Sequence, residues 1–544
     1  MRLLALLLLA ASSAAVAQQT SIQVDLARPQ GRYTPIYSWF GYDEANYTTA
    51  PHGQQLLREL HDLSPVPVHI RAHNLFTTGD GAPQLKWSST NIYTEDAQGK
   101  PVYSWTILDG IFDTFAATGV RPMVELGFMP EALSTHPDPY HVQYPADIFK
   151  GGWAYPPRDY ARWRELVRQF TAHMVARYGA KTVSQWYFEV WNEPDIGYWH
   201  GTAADYDRLY DNAVAGVRAA LPGAIVGGPA TTGPHSPHAA DFLTQFLDHC
   251  ARQHQPLDFI SFHVKGAPKV IDGHVRMGLD HELADAEAGF RIVSRHKTFA
   301  KLPIILSEAD PEGCAACSAR EHPENNYRNG PLYASYTAMA MNGLFALADK
   351  YQVNLLAMLS WSFEFEGRQY FEGFRSLATN GIDKPVLNVF RMAGLMAGER
   401  VKVTSTAGFP VEDIVANGVR QSPDIDALAT RGERQAGVML WNYHDEDVPA
   451  QGAEVSVAVK NIPAGVKRVL VQHFRIDDDH SNAYTVWKAM GSPQAPTAAQ
   501  VAQLKAAGQL QLLTSPVWVD AKDGVVTLPL NLPRQAVSLL RLSW

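Results

Sequence analysis

The stretch Trp186-Tyr187-Phe188-Glu189-Val190-Trp191-Asn192-Glu193-Pro194 decides how this chain is read. Its aromatic and β-branched run predicts a buried strand. Pro194 ends the ladder because it has no N–H to donate. Asn192 and Glu193 therefore fall at the mouth of a hydrophobic strand, beside the indoles of Trp186 and Trp191. Apolar cover disfavours an ionised carboxyl and raises its pKa. Glu193 is accordingly the candidate general acid, with Asn192 as its polar neighbour.

On either side of this stretch, strand and helix alternate with a steady beat. Candidate strands cover residues 36–40, 68–76, 121–128, 185–191, 224–228, 257–264, 303–308 and 355–363. Helical patterns cover 53–63, 105–118, 159–178, 203–221, 239–254, 280–300, 333–351 and 386–398. Eight strands alternating with eight helices predict an α/β fold, a (β/α)8 TIM barrel over residues 33–400. From residue 401 to 544 the rhythm changes to short alternating segments at 437–443, 453–460, 468–474, 525–528 and 536–544, separated by Pro, Gly and Asn. That pattern predicts a C-terminal antiparallel β-sandwich. Residues 18–32 contain another alternating segment, an N-terminal strand expected to pair into the sandwich.

Catalytic groups of such barrels occupy the C-terminal ends of the strands. The second strand ends in His69-Ile70-Arg71-Ala72-His73-Asn74 and the sixth in Phe262-His263. The seventh ends in Ser307-Glu308-Ala309-Asp310, and the eighth in Trp361-Ser362-Phe363-Glu364-Phe365-Glu366. Two carboxylates flanking a glycosidic bond suffice for hydrolysis, one donating a proton and one attacking or activating water. Glu308 lies 115 positions after Glu193, a span of three strand–helix units. This puts the pair on the fourth and seventh strands, across the mouth from one another. An ionised Glu308 needs donors, and Arg71, His263 and Ser307 are the candidates. Glu125 and Glu189 lie inside apolar strands, where a structural ion pair is expected. Glu364 and Glu366 stand open between binding sugar hydroxyls and a structural role. The loop histidines and Asp477-Asp478-Asp479-His480 lack metal-site spacing, so no metal and no cofactor is assigned.

The run from Gly119 to Leu133, Gly-Val-Arg-Pro-Met-Val-Glu-Leu-Gly-Phe-Met-Pro-Glu-Ala-Leu, is similar to the third-strand motif of glycoside hydrolase family 39. Tyr187 to Pro194 resembles that family's acid/base motif, and Trp361-Ser362-Phe363 and Asn380 to Pro385 extend the resemblance. It covers roughly residues 33–401. The resemblance implies Glu193 as acid/base and Glu308 as nucleophile, with retained configuration and Asn192 on the sugar's 2-hydroxyl. His73 and His263 would line the innermost sugar subsite, with Trp361 and Phe363 as its floor. The family usually has an aromatic directly after the nucleophile, whereas Ala309-Asp310-Pro311 follows here. The implied activity is an exo-acting β-xylosidase on oligosaccharides. The alternatives are an α-L-arabinosidase, an endo-acting hydrolase of an acidic or bacterial polysaccharide, or a carbohydrate-binding protein without catalysis. Two carboxyls at this spacing argue against the last.

The bulk properties agree with a large secreted enzyme. A chain of 544 residues with 46% hydrophobic residues exceeds the size of one core. A formal net charge of −9 gives no reason to expect nucleic acid or anionic membrane as partner. Residues 1–17 read as a signal peptide: Arg2, an apolar core from Leu3 to Ala11, and Ala15-Val16-Ala17 for cleavage. Export to the medium or a periplasm is expected. The three cysteines favour a local Cys314–Cys317 disulfide with Cys250 buried, and a bond from Cys250 to either is the alternative.

Overall fold

The structure is a computed structural model and describes residues 19–140, 152–311 and 317–544. The expected signal peptide, and Glu312, Gly313 and Cys314, lie outside the described residues.

The barrel strands are Trp39–Tyr42, His69–Ala72, Arg121–Leu126, Tyr187–Val190, Ile225–Thr231, Phe259–Lys265 and Pro303–Asp310, followed by a divided eighth, Asn354–Met358 and Ser360–Trp361. All pair in parallel with their sequence neighbours. Closure is made by the eighth strand. Its first half pairs with the seventh strand and its second half with the first, so the two ends of the sheet are halves of one strand. The chain changes partner at Leu359, whose N–H donates to Leu306 O and whose carbonyl accepts from Ala309 N. The alternating pattern that ran through residue 363 hides this break, and Phe363 falls beyond the strand.

The interior is filled by Trp39, Met123, Phe259, Ile305, Ala357, Leu359 and Trp361, with Trp361 reaching up to the mouth against His73. Gly41 makes the approach of Trp361 feasible, because a Cβ there would lie 2.4 Å from the indole. The outer helices bury the apolar faces read from the sequence, as in Ala203–Ala220, opened by a capping box of Thr202 and Asp205.

The second sheet has ten strands. Thr20–Arg32 runs antiparallel to Glu399–Ser405 and parallel to Ala453–Lys460. Ile22, Val24 and Leu26 point into its core while Gln23 and Asp25 alternate outward. Strands from both ends of the hydrogen-bonded path, Val455 to Val459 and Val469 to Val471, share one apolar cluster. The sheet therefore folds over on itself as a sandwich. Glu399–Ser405 and Asp424–Arg431 are strands that the sequence did not yield, and Ala483–Ala489 and Ala498–Gly508 are helices inserted among them. The sandwich docks on the helix Pro331–Tyr351: Ser335 Oγ donates to Gln535 Oε1 at 2.8 Å, and Arg400 pairs with Asp349 at 2.8 Å. Cys317 is disulfide-bonded and Cys250 is a free, buried thiol, which removes the alternative bond from Cys250.

Candidate active site

The fourth strand ends in a bend. Trp191 and Glu193 adopt φ of 71° and 44°, left-handed backbone that costs non-glycine residues about 1–3 kcal/mol. The bend is held from both sides. The buried indole of Trp191 donates to Tyr198 O at 2.9 Å, and Glu193 N–H donates to Ala230 O at 2.9 Å. Asn192 is buried, with its Oδ1 accepting from Arg71 Nη2 at 3.0 Å.

Glu308 is placed by an irregularity in the seventh strand. The register against the sixth strand shifts between Leu306 and Glu308, and Glu308 comes opposite His263. His263 Nδ1 then lies 2.9 Å from Glu193 Oε1 and 3.8 Å from Glu308 Oε2, bridging the two carboxyls. One oxygen of each carboxyl and the His263 nitrogen all lie within 4.8 Å of one another. Burial works against an ionised Glu308, but His263, Lys265, Arg71 and His73 outweigh it and hold its carboxyl well below the usual range.

Arg71 is the hub beneath this pair. Fully buried, it donates from Nη1 to Glu308 Oε1 at 3.0 Å and from Nε to Glu189 Oε2 at 2.5 Å. It also pairs with Glu125 Oε2 at 3.3 Å. The expected structural role of Glu125 and Glu189 is thus carried by one guanidinium. Of the three expected donors to Glu308, Arg71 and His263 face it, while Ser307 Oγ is buried without a partner. The third is Lys265, whose Nζ lies 2.9 Å from Glu308 Oε2 and also pairs with Asp310.

One oxygen of each carboxyl lies within 4.8 Å of the other, closer than the roughly 6.5–9.5 Å of an inverting pair and compatible with the about 5–5.5 Å of a double-displacement glycosidase. The same three side chains have donor atoms near enough for a cation, yet Arg71 and Lys265 already supply positive charge to Glu308. Comparison with known proteins gives the family. The family described as Glycosyl hydrolases family 39 matches residues 84–520. This chain belongs to glycosyl hydrolase family 39. It is a glycosidase of a retaining family. Among curated relatives it is 26% identical to a β-xylosidase of Geobacillus stearothermophilus, over 87% of this chain and 86% of that one. It is 25% identical to the α-L-iduronidase of Mus musculus, over 89% of this chain and 75% of the other. A crystal structure of a family 39 enzyme from Xanthomonas axonopodis pv. citri shares the fold, with a TM-score of 0.76 at 23% identity, covering 98% and 99% of the two chains.

The rest of the glycosidase site is an aromatic and cationic wall. The Trp361 ring lies 4.4 Å from the His73 ring, with the guanidinium groups of Arg71 and Arg375 at 5.0 and 5.6 Å. Phe128 and Tyr198 stack at 5.7 Å, and Lys86 Nζ sits 5.0 Å above the Tyr198 ring. His73, His263, Asn192 and Trp361 are thus gathered with Glu193 and Glu308. Phe363, Glu364 and Glu366 are held elsewhere. Phe363 is fully buried and stacks on Tyr42 at 3.7 Å, among the core residues. Glu364 accepts from Gly381 N at 2.6 Å, and Glu366 pairs with His52 at 2.9 Å. The expected eighth strand runs to Phe363, whereas the strand ends at Trp361.

Lys265, Asp43, Lys86 and Arg375 are not among the expected site residues, and Asp310 was read only as part of its strand's polar end. Lys265 had a signal: it follows His263 by two on one strand and shares its face. Asp310 had the same relation to Glu308. Asp43 follows the first strand directly, at a strand end that carries the same signal as the others. Lys86 and Arg375 come from loops, where no periodicity points to the mouth.

Proposed function

We propose that this chain is an exo-acting retaining β-xylosidase that releases xylose from the non-reducing ends of β-xylosides and xylo-oligosaccharides. The observation carrying this reading is the Glu193–Glu308 pair bridged by His263. Glu308, ionised by its cationic surroundings, attacks the anomeric carbon as Glu193 gives its proton to the departing oxygen. His263 engages Glu193 Oε1 and leaves the other carboxyl oxygen for the glycosidic bond. Glu193 then takes a proton from water, which attacks the glycosyl–Glu308 ester and releases sugar with retained configuration. Asn192, its Oδ1 occupied by Arg71, has its amide nitrogen left for the sugar's 2-hydroxyl. The xylose assignment draws support from the β-xylosidase relatives, and oligosaccharide is the corresponding partner.

A panel of nitrophenyl glycosides tests this. β-Xyloside is cleaved best, with xylose and xylotriose as the early products from xylotetraose; early xylobiose from internal cutting rules out exo action. Azide restores turnover of Glu308→Gly with an inverted glycosyl azide and of Glu193→Ala with a retained one. Undiminished hydrolysis by Glu308→Gly rejects the nucleophile.

A second reading, a sugar bearing a carboxylate, comes from the relatives named α-L-iduronidase. At the pocket that carboxylate would meet Lys265, Lys86 and Arg375, whose charges are shared with Glu308, Asp310, Asp43 and Glu44. Faster cleavage of a methylumbelliferyl α-L-iduronide than of the β-xyloside selects this reading and keeps the same carboxylate pair. We also infer that the protein is exported through residues 1–17, which N-terminal sequencing of the protein from its natural source tests by a start near Gln18.

A further inference from the structure

Glu193 stands beyond the end of its strand's ladder. The parallel pairing of the fourth and fifth strands stops at Glu189 and Gly227. Past that point the two segments are joined differently. Glu193 N–H donates to Ala230 O at 2.9 Å. Pro194 has no N–H with which to continue. The next tie comes from a side chain: Asp195 Oδ1 accepts from Thr232 N–H at 2.9 Å, and Asp195 Oδ2 accepts from the Thr232 hydroxyl. Residues 193–195 and 230–232 are thus bound once in each direction, which closes a ring across the rim.

The ring encloses two bends. Glu193 and Ala230 have φ of 44° and 54°, left-handed backbone that non-glycine residues seldom adopt and keep only where their surroundings over-determine it. The Asp195 side chain is buried beside them. Glu308 comes from the seventh strand and lies outside the ring, so its placement is independent of these bonds.

We propose that Asp195 is a positioning residue for the acid/base: by clamping Thr232 it locks the bend that aims the Glu193 carboxyl at the glycosidic oxygen. It acts through the backbone of Pro194 and Glu193 and needs no contact with substrate. A general acid must lie within hydrogen-bond reach of the atom it protonates, and a displacement of about 1 Å can cost roughly a hundredfold in rate. The loss on releasing the clamp is therefore confined to proton donation, with nucleophilic attack preserved. The proposal rests on the reading of Glu193 as acid/base.

Leaving groups separate these two effects. A dinitrophenolate departs without a proton, whereas a phenolate leaves far better with one. Asp195→Ala is expected to lose about tenfold or more in kcat/KM on the phenyl glycoside of the sugar cleaved best. On the matching dinitrophenyl glycoside it keeps kcat/KM within about twofold of wild type. Asp195→Asn can still accept from Thr232 N–H and turn its amide toward the hydroxyl oxygen, so it recovers most of the phenyl glycoside rate. Adding Thr232→Val to Asp195→Ala gives no further loss. Equal losses on both glycosides, no loss on either, or an Asn variant as impaired as the Ala variant overturn the proposal. Glu193→Ala is the reference. If it spares the dinitrophenyl glycoside and Asp195→Ala does not, the clamp is rejected while the acid/base stands. If it spares neither glycoside, the acid/base reading falls and the clamp falls with it. Should Asp195→Ala not fold, Thr232→Val removes the hydroxyl from the other side. It should lower the phenyl glycoside rate by about threefold and retain the dinitrophenyl rate; an unselective change, or none, overturns the proposal equally.

Discussion

Lys265 Nζ stands 2.9 Å from Glu308 Oε2, placing an ammonium directly against the proposed nucleophile. Asp310 holds the same ammonium from the other side. The aromatic usual after the nucleophile is replaced by Ala309-Asp310, so a lysine–aspartate pair fills that flank of the site.

This pair sets the acid end of the pH profile. Glu308 is depressed by its cationic neighbours despite burial, so its active, ionised form persists to low pH. An opposite charge within ~4–6 Å lowers a carboxyl pKa by about 1–3 units. Lys265→Met removes one such charge, and the acid limb of kcat/KM therefore moves up by about one unit or more. A limb at the wild-type position shows that Arg71, His263 and His73 suffice without Lys265.

Arg71 is the group on which stability should depend most. Its removal leaves Glu189, Glu125 and Glu308 buried without their shared counter-charge. Breaking a buried pair from one side costs about 3–5 kcal/mol. Arg71→Met is expected to lose stability in that range by urea denaturation. Adding Glu189→Gln recovers part of it, because one of the stranded charges is gone. Failure of the double variant to recover any stability contradicts the hub.

Phe363 belongs to the core and not to the sugar floor. It is fully buried and stacked on Tyr42. Phe363→Ala is expected to cost about 3–5 kcal/mol by urea denaturation, with KM for the best glycoside unchanged. A raised KM at wild-type stability restores it to the binding surface.

The fold class was legible because each barrel strand and helix carries its own period: Tyr187 to Val190 and Ala203 to Ala220 announce themselves locally. The meeting of Glu193 and Glu308 at one mouth was legible for a related reason, since Asn192-Glu193 and Ser307-Glu308 end apolar runs at the rim. The break at Leu359 was hidden, because it arises from a change of strand partner and leaves no mark on alternation. Asp43 and Arg375 meet only after closure, 332 positions apart, and nothing local pairs them. The helix at Ala498 did leave a mark, the Thr497 to Gln500 capping box, set amid strand-like neighbours.

Glu364 offers a stability test that separates structure from binding. Burial, reinforced by Asp383 and Glu59, pushes its carboxyl up to about 8, against the opposing bond from Gly381 N. The folded protein thus keeps a proton that the unfolded chain releases near the ordinary glutamate pKa of about 4.3. Stability from this source is complete below that value and is lost as pH rises toward and through about 8. Neighbouring Lys384, pushed down to about 7 by burial, works the other way and loses stability as pH falls. Glu364→Gln cannot titrate, yet its side-chain oxygen still accepts from Gly381 N. Its Tm should therefore fall less than wild type between about pH 5 and 8, leaving the Lys384 dependence exposed. No hydrogen bond or ion pair among the described residues joins Glu364 to Glu193 or Glu308, so kcat/KM at the optimum should stay at the wild-type value. An unchanged Tm profile with a raised KM reverses the assignment and returns Glu364 to the sugar.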